Sequence, residues 1–198
     1  SPESRLFTKS ENLYALDLAR DAVVKQRGIV VVEGYTDVVL AHQCGLSNVV
    51  AVLGTAINQR HLRLLRRFAD TIYLVLDGHT AGQRRTNEVL ELFVAEQMDL
   101  RIMTLPEGLD PADFFLQRGA DEFQRMLGEA VDALEHRIRV STQGVNLTHD
   151  THRANRALEE ILTTIARAPR GASTPEAGGM LREQQILTRL AREFSLGE

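Results

Sequence analysis

The chain has 198 residues, 43% hydrophobic and 25% charged, with a net charge of -4. That suits one globular domain, or a compact domain with an appended helical part, able to bury a core. It excludes a global basic field of the nucleic-acid-binding kind, and the single cysteine, Cys44, excludes an internal disulfide or a multi-cysteine zinc site.

In chain order, Ser10 is placed to cap a helix through residues 11–27, with Gly28 ending it. Residues 29–32, Ile-Val-Val-Val, are short, apolar and β-branched, as in a strand buried on both faces. The pattern repeats: a helix over 37–43, a strand over 49–53, a helix over 58–68 capped by Asn58, and a strand over 71–76. A long amphipathic helix over 80–97 and a strand over 100–105 follow, stopped by Pro106. Strands alternating with helices of this length predict an α/β fold, a mostly parallel sheet flanked by helices. From Asp110 onward only helix signals appear, over 121–140, 151–167 and 180–194, with a Pro- and Gly-rich connection at 168–179.

No apolar run approaches the roughly 18 residues of a membrane span. The first ten residues lack the basic and apolar regions of a signal peptide and have no Met. The expectation is a cytoplasmic protein with no membrane partner, and a stretch taken from a longer chain.

Ligands of parallel α/β sheets collect at the carboxyl ends of the strands. Glu33 and Asp77 each end an apolar strand, and the loop after the last strand carries Asp110 and Asp113. Three strand ends thus deliver carboxylates to one edge, and oxygen donors of this kind suit Mg²⁺ or Mn²⁺.

Four segments occur in order: EGYTD at residues 33–37, LGTA at 53–56, DGHTAG at 77–82 and DPAD at 110–113. Together they resemble the toprim catalytic domain of bacterial DNA primase, and SPESRLFTKSENLYAL at the start resembles the stretch before that domain. The resemblance covers residues 1 to about 139. It implies the end of a preceding subdomain and a linking helix over 1–28, a toprim domain over 29–118, and a helical subdomain over 119–198. It implies a DNA-dependent RNA polymerase that makes primers on a single-stranded DNA template from ribonucleoside triphosphates. A replicative helicase would be met through regions outside this stretch. By the same resemblance Glu33 is the catalytic glutamate and Asp77 a metal ligand, with Asp37 and Asp110 supporting the metal. Lys9 matches a basic residue near template and nucleotide. Bound cations would lower the pKa of the attacking 3′-hydroxyl and neutralise the triphosphate. Glu33 could hold a metal, assist proton transfer, or do both.

Two positions depart from the family. His79 stands where a second aspartate is usual, and Ala112 where another acid is frequent. Histidine binds Mn²⁺ but is a poor Mg²⁺ ligand, so weaker cation binding is expected, by about 1–3 kcal/mol. These departures motivate two alternatives: a catalytically impaired toprim module with a binding or scaffolding role, and a toprim nuclease.

Arg60, Arg63 and Arg67 recur on one predicted helical face, and Arg84 and Arg85 open the helix after the acidic loop. Template or triphosphate contact and a solvated face are both open to them. His42, His61, His136, His149 and His152 read as surface histidines without a zinc site. Cys44, Met98 and Met103 read as core.

Overall fold

A computed structural model describes residues 8–54, 56–77, 83–96, 98–106, 108–147, 149–168 and 176–194, without the side chains of 10, 83, 84 and 176–182. The described residues fall into two compact units, the first reaching residue 82 and including 96–132, the second comprising 83–95 and 133 onward.

The first unit is built on a six-stranded sheet. Strands β1 (Leu13–Tyr14), β2 (Gly28–Val32), β3 (Val49–Val52), β4 (Thr71–Leu76), β5 (Asp99–Thr104) and β6 (Val131–Asp132) lie in the order β1-β3-β2-β4-β5-β6. The central four are parallel, and the two-residue edge strands are antiparallel to their neighbours. Every residue of β2 and β3 is buried, because helices cover both faces and leave no polar side to the strand. On one face Val30, Val32, Val49, Ala51, Val75 and Met103 pack with Val38 and Ala41 of α2 (Tyr35–Gln43). Phe114, Phe115 and Phe123 of α5 (Pro111–Gly128) complete this core, with the Phe115 and Phe123 rings 4.5 Å apart. Burial of aromatic side chains of this size stabilises by about 1.5–3 kcal/mol each.

Strand β2 leads through α2 to β3 on one side, and the chain then returns to place β4 on the other side of β2. The order reverses between β2 and β4, and such a reversal opens a crevice at the carboxyl ends of the strands.

The α/β expectation holds, with differences at the edges. Helix α1 is Leu16–Gln26, not 11–27, because Leu13 and Tyr14 pair with Val52 and Ala51 as a strand. Two residues are too few for a periodicity to show. Helix α3 (Gln59–Leu65) stops short of Phe68, and Asn58 caps it by accepting from the N–H groups of Arg60 and His61. The single helix expected over 121–140 is divided. Helix α5 breaks at Gly119, whose φ of 79° favours glycine, and Val131–Asp132 form β6 before α6 (Ala133–Thr142) begins. Residues 119–132 therefore sit with the sheet, not with the later helices as expected.

The second unit joins α4 (Gln83–Glu96), up to Ala95, to α6, α7 (Thr151–Arg167) and α8 (Glu176–Glu193). Leu90, Leu134, Ile138, Ile161, Ile186 and Leu190 form its apolar core. Arg137 is 1% exposed there, 3.5 Å from Glu160.

Single side chains also differ from expectation. Cys44 is exposed at the end of α2. His61 and His136 are buried, not superficial. Burial, aided by the charges of Arg139 and Arg137, drives the His136 pKa down to about 4, so it is neutral at physiological pH. Met98 and Met103 are core. No described helix is long and apolar enough to cross a membrane.

Candidate active site

Glu33 and Asp77 are the residues that follow β2 and β4, two strands paired in parallel with Val31 opposite Leu74. Both are half-buried. They emerge side by side at the switch point, where the topology alone would place a ligand.

Asp37 enters from α2. It is the third residue of that helix, 7% exposed, and its Oδ2 accepts the Gly34 N–H at 3.1 Å, the reach-back half of a capping box. Asp110 enters from the loop after β5 as the cap of α5, its Oδ1 accepting the Asp113 N–H at 2.7 Å. Asp113 itself is exposed.

These acids share one electrostatic space. The Asp37 carboxyl is pushed up to about 6 by burial first and by the charge of Asp110 next, with Asp77 adding to the shift. Backbone hydrogen bonds from Gly34 and Ala112 pull the other way and do not win. Burial and the two neighbouring acids thus both disfavour the charged form of Asp37, and a nearby cation would favour it. Asp37 in α2, Asp77 after β4 and Asp110 after β5 are therefore near enough to act on one another electrostatically.

Two contributors escaped the sequence. Gly34 is needed for space, not for conformation: its φ of -103° is ordinary, but a Cβ there would lie 2.7 Å from Asp37 Oδ2. Ala112 gives its backbone N–H to Asp37. The Gly34-to-Asp37 spacing was the available signal, since a capping box has that interval. Gly34→Ala is therefore expected to displace Asp37, lower stability by about 1–2 kcal/mol through the lost charged hydrogen bond, and weaken Mn²⁺ binding. Urea denaturation and Mn²⁺ titration measure both, and unchanged values in each would refute the close-approach argument.

Among the described residues, no three acids, histidines or cysteines lie close enough together to hold a metal ion by themselves. The donors nevertheless fit Mg²⁺ or Mn²⁺: they are hard carboxylate oxygens, and Mg²⁺ is commonly held by one or two carboxylates with waters and substrate phosphates. His79, with residues 78–82, lies outside the described residues.

The basic candidates separate. Lys9 is half-buried in a 3-10 turn, Lys9–Glu11, and its carbonyl meets the His61 ring at 3.2 Å. Arg60 pairs with Glu11 at 2.5 Å and Arg63 with Glu96 at 3.1 Å. Arg67 is not on the helical face as expected, because α3 ends at Leu65 and Arg67 lies in the following turn. Arg85 belongs to the helical unit and lies 3.8 Å from Glu88. The Arg84 side chain lies outside the described set.

A toprim-like family model matches residues 30–115, which contain all of these acids. The DNA primase of Halalkalibacterium halodurans is 33% identical over 197 residues, 99% of this chain and 31% of its own length. The chain is a homologue of the DNA primases. A primase domain from Pseudomonas aeruginosa superposes with a TM-score of 0.74 at 28% identity, over 100% of this chain and 60% of that one. A primase catalytic domain bound to single-stranded DNA gives 0.72 at 27%, over 94% and 59%. The chain spans less than a third of the length of the curated relatives it matches. Within this primase homologue, the acids come from the ends of the parallel strands, and the edge strands β1 and β6 complete the sheet.

Proposed function

We propose that this chain supplies the nucleotidyl-transfer centre of a DNA-dependent RNA polymerase that makes RNA primers on single-stranded DNA. The observation that carries the reading is the placement of acids at the carboxyl edge of the β2–β4 switch point, where Glu33 and Asp77 follow the two paired central strands and Asp77 and Asp110 both act on the buried Asp37. Like charges gathered and partly buried are costly unless a cation joins them. The single-stranded DNA bound by the solved primase catalytic domain supports that template class.

In this reading Glu33 and Asp77 face the reacting phosphate from the two central strands. Asp37 and Asp110 hold their positions through helix-capping bonds and supply further negative charge. A divalent cation, when bound, would supply Lewis-acid stabilisation of the triphosphate and of the attacking hydroxyl. Ribonucleoside triphosphates bring the phosphate oxygens that complete its shell, which accounts for a site without three protein donors. Regions outside this stretch would meet the helicase.

The direct test is primer synthesis by the protein on single-stranded DNA with ribonucleoside triphosphates and Mg²⁺ or Mn²⁺. Labelled products that vanish in Glu33→Gln support the reading. No product with either cation refutes it. His79→Asp is expected to tighten Mg²⁺ binding by about 10-fold or more, the scale of a regained charged contact. Activity present in His79→Asp and absent from the parent would favour the impaired-module alternative; metal-dependent plasmid nicking would favour the nuclease.

A further inference from the structure

Tyr14 and Tyr35 form an edge-to-face pair with ring centroids 6.1 Å apart and planes at 65°. Both are exposed, Tyr14 by 37% and Tyr35 by 63%. Isolated exposed aromatics need no explanation, but the location of these two does. Tyr35 is the first residue of α2, between Glu33 and Asp37 in sequence. Tyr14 lies on β1 opposite Ala51, next to the last residue of β3, so it too stands at the carboxyl edge of the sheet. The edge strand has a positional consequence: β1 has only two residues, and it turns Leu13 inward and Tyr14 outward.

In an edge-to-face pair one ring uses only its edge, so its faces stay available. An open aromatic face beside an acidic phosphate-handling site matches one ligand chemistry, a flat nucleobase. Base–aromatic stacking is sequence-tolerant because every base has a π-face. The segment that carries Tyr14 also carries Glu11, whose ion pair with Arg60 is exposed on both sides, 65% and 52%. Exposed pairs of this kind are weak, so Arg60 can exchange Glu11 for a phosphate of the same strand.

We infer that the Tyr14–Tyr35 pair is a stacking platform for a nucleobase entering the acidic site. This inference rests on the nucleotidyl-transfer reading for its ligand class. The base belongs either to the nucleic-acid strand or to the incoming nucleotide, and the chemistry is shared.

The test compares the parent with Tyr35→Ala, Tyr35→Phe and Tyr14→Ala by fluorescence anisotropy and calorimetry. One arm uses a single-stranded oligonucleotide against an abasic oligonucleotide of equal length, which keeps the phosphates and removes the bases. The other arm uses ATP against ribose 5-triphosphate, with Mn²⁺. The parent is expected to prefer the base-bearing ligand by about 5- to 100-fold in one arm, the scale of one stacked base. Tyr35→Ala is expected to lose that preference, and Tyr35→Phe to keep it. Loss in the first arm assigns the platform to the strand, and loss in the second to the nucleotide. A preference unchanged in Tyr35→Ala, or absent from the parent in both arms, overturns the inference. Circular dichroism checks that each variant is folded, and Tyr35→Phe separates lost stacking from lost fold. Primer synthesis by the parent, measured alongside, separates this failure from failure of the functional reading: a parent that makes primers while Tyr35→Ala binds normally sinks the platform alone.

Discussion

Asp77→Asn is expected to reduce primer synthesis by roughly 10³-fold, the scale of removing one preorganised charge from a transition-state site. Asp77 follows β4, the strand next to β2 at the switch point, and among the described residues no other acid follows that strand directly. Asparagine keeps the shape and the hydrogen-bonding oxygen and removes the negative charge. The same change removes one of the two charges that raise the Asp37 carboxyl, so Asp37 is expected to titrate closer to its ordinary range. Steady-state primer synthesis and carboxyl titration by NMR measure the two effects. Activity within 10-fold of the parent, with Asp37 still titrating near 6, would show that Asp77 does not share the site. Parallel Mn²⁺ titration separates a lost cation from lost chemistry, since Asp77→Asn is expected to weaken binding even without nucleotide.

The acids were legible because the physics that places them is local. Residues 29–32 are an apolar run buried on both faces and 71–76 close on the buried run 74–76, so the next polar residue, Glu33 or Asp77, has to emerge at the carboxyl end. The parallel order followed from the alternation of strands and helices. What the sequence withheld came from tertiary pairing. Leu13–Tyr14 and Val131–Asp132 are strands only because β3 and β5 offer unpaired edges, and two residues carry no period. The split of α5 at Gly119 and the burial of His61 and His136 likewise depend on neighbours distant in sequence. Gly34 is the instructive intermediate case. Its spacing to Asp37 was visible, but only coordinates show that a Cβ would strike the carboxylate.

Asp37→Asn is expected to stabilise the fold at neutral pH while damaging function, because burial and then its acidic neighbours disfavour the ionised carboxyl. Its carboxyl rises from an ordinary 3.8 to about 6 in the folded protein. Below pH 4 the carboxyl is protonated in both folded and unfolded states, and no penalty exists. Between pH 4 and 6 the folded state keeps the proton that the unfolded state has released, so stability falls as pH rises. Above pH 6 both are ionised and the folded state bears the whole penalty, from burial first and from the charges of Asp110 and Asp77 next, on the order of 3 kcal/mol at 1.36 kcal/mol per pH unit. Asparagine removes the charge but retains one acceptor oxygen for the Gly34 and Ala112 N–H groups, and losing the other costs about 1 kcal/mol. The net expected gain is on the order of 2 kcal/mol at pH 7.5, shrinking to nothing or a small loss at pH 4. A saturating divalent cation neutralises the repulsive part of that penalty, so Mn²⁺ is expected to raise the parent's Tm more than the variant's. Thermal melts at pH 4, 5 and 7.5, with and without Mn²⁺, test each step. A variant less stable than the parent at pH 7.5 without cation would show that the backbone hydrogen bonds outweigh the repulsion. A variant that gains as much from Mn²⁺ as the parent would remove Asp37 from the cation's surroundings. Both expected results together mean that the fold tolerates a buried repulsion at this edge because the ligand that relieves it is also the one on which the chemistry depends.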